Sequence, residues 1–164
     1  MATRSTAVDP GSAVARDPFR TAARVYFAYG VVYLVGGLYL VSQGVGVAGG
    51  RVSGAPGPAM LRWGLIGLIP LAVVPLLLSR PWSWLGGWLS RRTFAWLVAA
   101  LLAVRAFKVG EVAIRGGASV PAPWGGDITF QAGAVVFLAV ALAALACVLR
   151  AAWSGEPRVD RPHD

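Results

Sequence analysis

The sequence predicts an all-α membrane protein whose four transmembrane helices form a bundle, with both termini in the cytoplasm. First, 57% of the 164 residues are hydrophobic and only 13% are charged, whereas a soluble domain carries about 25% charged residues. Second, four apolar runs have the length of about 20 residues that crosses a bilayer. Third, arginine is distributed unequally between the two sides of the predicted bundle. A chain of this length leaves no room for a separate soluble catalytic module.

The first span is predicted over residues 25–47, after a tail at 1–24 that lacks apolar periodicity and is expected to be disordered. A run of this length is too long for the apolar part of a signal peptide. One arc of the span carries tyrosines and glycines that suit close helix packing: Tyr26, Tyr29, Tyr33, Gly36, Gly37, Leu40 and Gly44. Tyr26 and Tyr29 are expected in an interfacial belt, and Tyr33 is expected to form a hydrogen bond to the third span.

The second span is predicted over residues 59–79, where Pro70 and Pro75 should kink the helix. Arg62 can extend to the outer interface or reach the third span. The tryptophan-rich connection at 80–92 should lie on the membrane surface. The fourth span is predicted over 128–149, and the four-residue spacing of Ala139, Ala143 and Cys147 predicts a close-packing seam on it. The membrane domain ends near residue 153, and 154–164 should be a disordered tail.

The third span, predicted over residues 93–115, carries four charged side chains at spacings of three, three and four. They are Arg105, Lys108, Glu111 and Arg115. This spacing places all four in one polar stripe on the helix. A charged side chain at a helix centre costs about 2.5–3.5 kcal/mol on insertion. The stripe is therefore expected to face the other helices.

The orientation follows from the positive charges beside the spans. Ten arginines fall on one side and three on the other, Arg51, Arg62 and Arg115. The positive-inside rule then places both termini on the cytoplasmic side of the membrane. Comparison of depths brings polar residues of all four spans together. Tyr33 and Arg105 lie near the bilayer middle, and the rest of the stripe lies in the outer half with Gln43, Arg62, Asp127 and Gln131.

The rare residue types exclude several classes of protein. One cysteine and one histidine cannot form an internal disulfide, a redox pair or a multi-histidine metal or haem site. No phosphate-binding loop or nucleophile elbow occurs, and no cofactor is expected. The positive charges flank apolar runs and therefore indicate topology rather than nucleic-acid binding. An enzyme using Glu111 is disfavoured, because Lys108 and Arg115 favour the charged carboxylate.

One resemblance rests on Tyr33, Gly36 and Gly37 in the first span, an arginine late in the third and Asp127 at the start of the fourth. In these features the chain resembles small, uncharacterised four-span bacterial integral membrane proteins. The resemblance implies the four-span architecture and a location in a bacterial plasma (inner) membrane, and it supplies no activity.

Two functions remain open. The favoured one is a structural or accessory membrane protein, without enzymatic activity, whose polar cluster is paired internally: Glu111 with Lys108 and Arg115, and Asp127 with Arg62 or Arg105. The alternative is the binding or transport of a small anionic ligand or lipid headgroup at an outward-facing site. The expected partners are membrane lipids, and a second copy of the chain or a larger membrane protein is a further candidate.

Overall fold

The computed structural model describes residues 17–45, 56–80, 90–115, 119–123 and 125–154. They form four helices and two short strands: α1 (Pro18–Ser42), α2 (Pro56–Ser79), α3 (Arg91–Arg115), β1 (Ser119–Pro121), β2 (Asp127–Thr129) and α4 (Phe130–Trp153). Within these described residues, three helical segments are long and apolar enough to cross a membrane, namely α1, α4 and the Met60–Ser79 part of α2. The prediction of an all-α protein with four helices in contact is confirmed. The three candidate spans indicate a multi-pass membrane protein.

The first helix begins at Pro18, where the sequence predicted a disordered tail up to residue 24. The Asp17 carboxylate accepts a hydrogen bond from the Phe19 N–H at 3.0 Å. Proline at the first helical position is preorganised for a helix and lacks an N–H that would have no partner there. Residues 1–16 of the first predicted tail, residues 155–164 of the second, and most of the tryptophan-rich connection lie outside the described residues.

Between α3 and α4 the structure has a small antiparallel hairpin where the sequence predicted a loop and the start of the fourth span. Val120 of β1 pairs with Ile128 of β2. Gly125 and Gly126 have φ angles of 95° and 80°, which favour glycine, and they form the turn. The Tyr39 hydroxyl of α1 donates a hydrogen bond to the Pro121 carbonyl. The hairpin is therefore fastened to the end of α1.

The helices pack in the spatial order α2, α1, α4, α3. The most extensive contacts join α3 to α4 and α1 to α2; α1 also packs on α4, whereas α2 meets α3 sparsely. Alanines dominate the buried faces of α3 and α4, which brings the two backbones close together: Ala95, Ala99, Ala106 and Ala113 on α3, and Ala141, Ala144, Ala151 and Ala152 on α4.

The sequence predicted a different packing seam on the fourth span. Ala139 and Ala143 are exposed and Cys147 is partly exposed, so that prediction was wrong. The alanine-rich α4 sequence contains several stripes of small residues, and only the one that includes Ala141 and Ala144 faces the neighbouring helices.

Glycines determine how α1 and α2 meet. A Cβ at Gly30 would lie 2.6 Å from Leu71 Cδ1, and a Cβ at Gly67 would lie 2.7 Å from Leu34 Cδ1. At Gly37 a Cβ would overlap the indole ring of Trp63, whereas Gly36 has no atom within 4 Å of the Cβ position. Close packing therefore depends on Gly37 and not on Gly36. α2 stays helical through Pro70 and Pro75.

Candidate functional site

Tyr33, near the middle of α1, is the point where all four helices meet. Its ring centroid lies 4.9 Å from that of Trp63 on α2 and 5.4 Å from that of Phe137 on α4. The guanidinium carbon of Arg105, on α3, lies 3.6 Å from the same centroid. Tyr29, one turn earlier on α1, stacks at 6.3 Å. These five side chains form a cluster that we call the Tyr33 cluster.

Arg105 contributes a cation to this aromatic surface. A cation over an aromatic ring contributes about 0.5–1 kcal/mol when exposed and about 2 kcal/mol when desolvated. The sequence predicted a hydrogen bond from Tyr33 to the third span; the contact with that span is through the ring face. Within the described part of the chain, Arg105 has no carboxylate within 4.0 Å and forms no hydrogen bond. Its N–H groups therefore remain available for an acceptor.

Two other polar groups of the cluster are buried without a partner. The Tyr29 hydroxyl and the Trp63 Nε1 have no hydrogen bond among the described residues, and Tyr29 is 4% exposed. Tyr29 packs against Phe137 at 5.6 Å and Tyr26 is partly buried beside it, whereas their position in an interfacial belt stays a prediction. An unsatisfied buried polar group costs about 1–3 kcal/mol. The centre of the bundle is thus polar and incompletely satisfied.

Apart from Arg105, the residues of the polar stripe of α3 form no ion pair or cation–π contact with the other described helices, in contrast to the prediction. Lys108 is exposed and has no ion pair among the described residues. Glu111 and Arg115 approach to 3.7 Å, but their side chains are 44% and 76% exposed. An exposed pair of this kind contributes only about 0–1 kcal/mol. Of the four charged residues, Arg105 alone reaches another helix.

The remaining predicted residues lie apart from the Tyr33 cluster. Arg62 is exposed on α2, Gln43 caps the end of α1 with an exposed side chain, and Asp127 and Gln131 are exposed on β2 and the first turn of α4. No ion pair joins Asp127 to Arg62 or Arg105 in the segments that the structure describes. Among the predicted site residues, the structure therefore shows two contacts, one between Tyr33 and Arg105 and one between Glu111 and Arg115.

A second polar cluster is centred on Arg91, at the end of the bundle where α1 starts and α2 ends. The sequence indicated this arginine only as a topology signal. Its Nε donates to the Leu78 carbonyl at 2.6 Å and its Nη2 donates to the Asp17 carboxylate at 3.1 Å. Its guanidinium carbon lies 4.2 Å from the Phe19 ring centroid. Arg91 thus joins the start of α1, the end of α2 and the start of α3. The sequence signal for this site is the Asp17-Pro18 pair, which marks the start of α1.

No family model, curated protein or solved structure matches this chain. The resemblance to small four-span bacterial membrane proteins therefore has no identified family behind it. The fold defines the class: a helical membrane protein with three candidate spans.

Proposed function

We propose that this is a four-span membrane protein with cytoplasmic termini, and that it binds an anionic phosphate or carboxylate group at Arg105. One observation carries the proposal. The guanidinium carbon of Arg105, in the middle of α3, lies 3.6 Å from the centroid of the Tyr33 ring, while its N–H groups meet no carboxylate within 4.0 Å among the described residues.

Two features support α3 as the fourth span. Its 25 residues extend about 37 Å at 1.5 Å per residue, enough to cross a bilayer. It packs closely on α4, itself a candidate span. The ten-to-three distribution of arginines supports cytoplasmic termini.

The chemistry of arginine supports an anion as the ligand. The guanidinium is planar, stays charged and presents a fork of donors that matches two oxygens of a phosphate or carboxylate. The Tyr33 ring lies over the Arg105 guanidinium carbon, and no described carboxylate or carbonyl engages the N–H groups. The segment from Arg105 to Arg115 carries three cations and one carboxylate, which also favours a negative ligand.

A structural or accessory role is the second candidate. It is favoured by the position of Tyr33, whose ring touches side chains from the three other helices. In that case Arg105 would hold α3 in place against α1, and its charge would serve packing alone.

The test compares wild type, Arg105→Met and the control Arg92→Gln, which removes an exposed charge from the start of the same helix. Thermal unfolding of the full chain is followed in phosphatidylcholine nanodiscs, in nanodiscs containing phosphatidylglycerol, and in phosphatidylcholine with inorganic phosphate. A ligand at 100 times its Kd stabilises the native state by about 2.7 kcal/mol. We expect phosphatidylglycerol or phosphate to raise the melting temperature of wild type and Arg92→Gln but not of Arg105→Met.

The two supplements distinguish a lipid headgroup from a free anion. An equal response in all three proteins would refute the binding proposal. A lower melting temperature for Arg105→Met together with an unchanged anion response would leave the structural role standing.

A further inference from the structure

A shallow cleft lies at the C-terminal end of α4, and we call it the α4 cleft. Its lining residues are Ala146, Leu149, Arg150, Trp153 and Ser154. The helix is a candidate span of 24 residues, about 36 Å long at 1.5 Å per residue, whereas the hydrocarbon core of a bilayer is about 30 Å thick. The Trp153 end of the cleft therefore reaches the headgroup layer, and the Ala146 end points toward the hydrocarbon.

The Trp153 ring forms a fixed aromatic wall of this cleft. Its side chain is 68% exposed, yet the ring is held by Trp96 of α3. The two ring centroids lie 5.6 Å apart at an interplanar angle of 88°, an edge-to-face arrangement that aromatic pairs favour. The indole is therefore positioned by α3 while most of its surface stays open.

Arg150 places a cation beside this ring. It is exposed and forms no ion pair within the part of the chain that the structure describes. Arg150 and Trp153 are three residues apart on one helix, so their Cβ atoms are neighbours at about 5–6 Å. None of the residues that line the cleft is acidic. The cleft thus offers a guanidinium and an aromatic ring side by side, above an apolar floor.

From this we infer that the α4 cleft binds one zwitterionic phospholipid, whose headgroup joins a phosphate to an ammonium. The Arg150 guanidinium would donate to the phosphate oxygens. The ammonium would lie over the Trp153 ring, the aromatic side chain that attracts cations best. An acyl chain would continue along Ala146 and Leu149. An anionic headgroup without an ammonium would meet Arg150 but leave the ring with no cation, so the zwitterion is the better match.

The first test is native mass spectrometry of the full chain in detergent, titrated with phosphatidylethanolamine. It compares wild type, Arg150→Gln, Trp153→Leu and the control Arg24→Gln, which removes an exposed arginine from the second turn of α1. We expect several-fold less lipid adduct for the two cleft variants than for wild type and the control. Equal adducts in all four proteins would overturn the proposal and leave Arg150 and Trp153 as ordinary interfacial anchors.

Two conservative variants separate the chemistry of the cleft from its fold. Arg150→Lys keeps the charge and Trp153→Phe keeps an aromatic ring, so both should retain most of the phosphatidylethanolamine adduct. A loss as large as in Arg150→Gln and Trp153→Leu would show that neither charge nor ring binds the headgroup. Thermal unfolding without added lipid verifies that each variant is folded.

The second test repeats the titration with phosphatidylglycerol, which has the phosphate but no ammonium. Trp153→Leu should reduce the adduct of phosphatidylethanolamine several-fold and leave that of phosphatidylglycerol unchanged, because only the first lipid places a cation on the ring. An equal loss for the two lipids would show that Trp153 packs against the acyl chain, and it would refute the assignment of a zwitterionic headgroup.

Discussion

Replacement of Arg91 by alanine should destabilise the protein strongly, whereas the same change at the adjacent Arg92 should not. Both are arginines in the first turn of α3. The Arg91 side chain is 10% exposed and contacts three residues of two other segments, Asp17 and Phe19 at the start of α1 and Leu78 at the end of α2, while Arg92 is exposed. The pair therefore separates the effect of specific contacts from the effect of charge at the membrane surface.

The contacts of Arg91 set the size of the expected loss. Hydrogen bonds that involve a charged group contribute about 1.5–3 kcal/mol. The cation over the Phe19 ring adds about 0.5–1 kcal/mol. Asp17 is 34% exposed, so water can partly replace its lost partner, and its bond to the Phe19 N–H remains. We expect Arg91→Ala to lower the free energy of unfolding by about 2–4 kcal/mol, and Arg92→Ala to change it by about 0.5 kcal/mol or less.

Arg91→Lys adds a second comparison, because lysine keeps the charge but lacks the forked donors that serve the Leu78 carbonyl and Asp17 together. Its loss should lie between those of the two alanine variants. The measurement is a reversible denaturant titration of each full-length protein in the same micelle. Equal stabilities for Arg91→Ala and Arg92→Ala would show that the contacts at Arg91 contribute nothing and would refute this reasoning.

Two further predictions concern helix packing and topology. Gly37→Ala should destabilise the protein by about 1–3 kcal/mol, because the new methyl group overlaps the Trp63 ring. Gly36→Ala should be neutral or stabilising by up to about 1 kcal/mol; the same titration checks both, and a larger loss at Gly36 would contradict the packing described. On a Cys147→Ser background, a cysteine at Ser53 should react with an impermeant thiol reagent added outside the cell, and labelling from the cytoplasmic side alone would reverse the proposed orientation.

Hydrophobic runs were sufficient to predict four helices, because length and apolar composition are local properties of the sequence. The direction in which α3 turns its charges was not predictable from their spacing. Periodicity shows that Arg105 and Glu111 share one side of a helix, but it does not show what lies opposite. The alanines at positions 95, 99, 106 and 113 were the missed signal, since small residues permit the closest helix contact.

The candidate site was predictable only in part for a related reason. Tyr33 and Arg105 were both identified from their depth in the membrane, and the structure places them in contact. The roles of Trp63 and Phe137 depend on how α2 and α4 dock against α1, which no local pattern determines. Arg91 and Arg92 are equivalent under the positive-inside rule, and only the folded chain brings one of them to Asp17.

The packing of α1 with α2 and of α3 with α4 has a consequence for the order of biogenesis. Each pair is consecutive in the chain, so the first hairpin of helices can assemble before the ribosome has made the second. Asp17 and the end of α2 must then wait for Arg91, which is 74 positions after Asp17. A nascent chain that stalls before Arg91 therefore has its first two helices but lacks the residue that fastens their shared end.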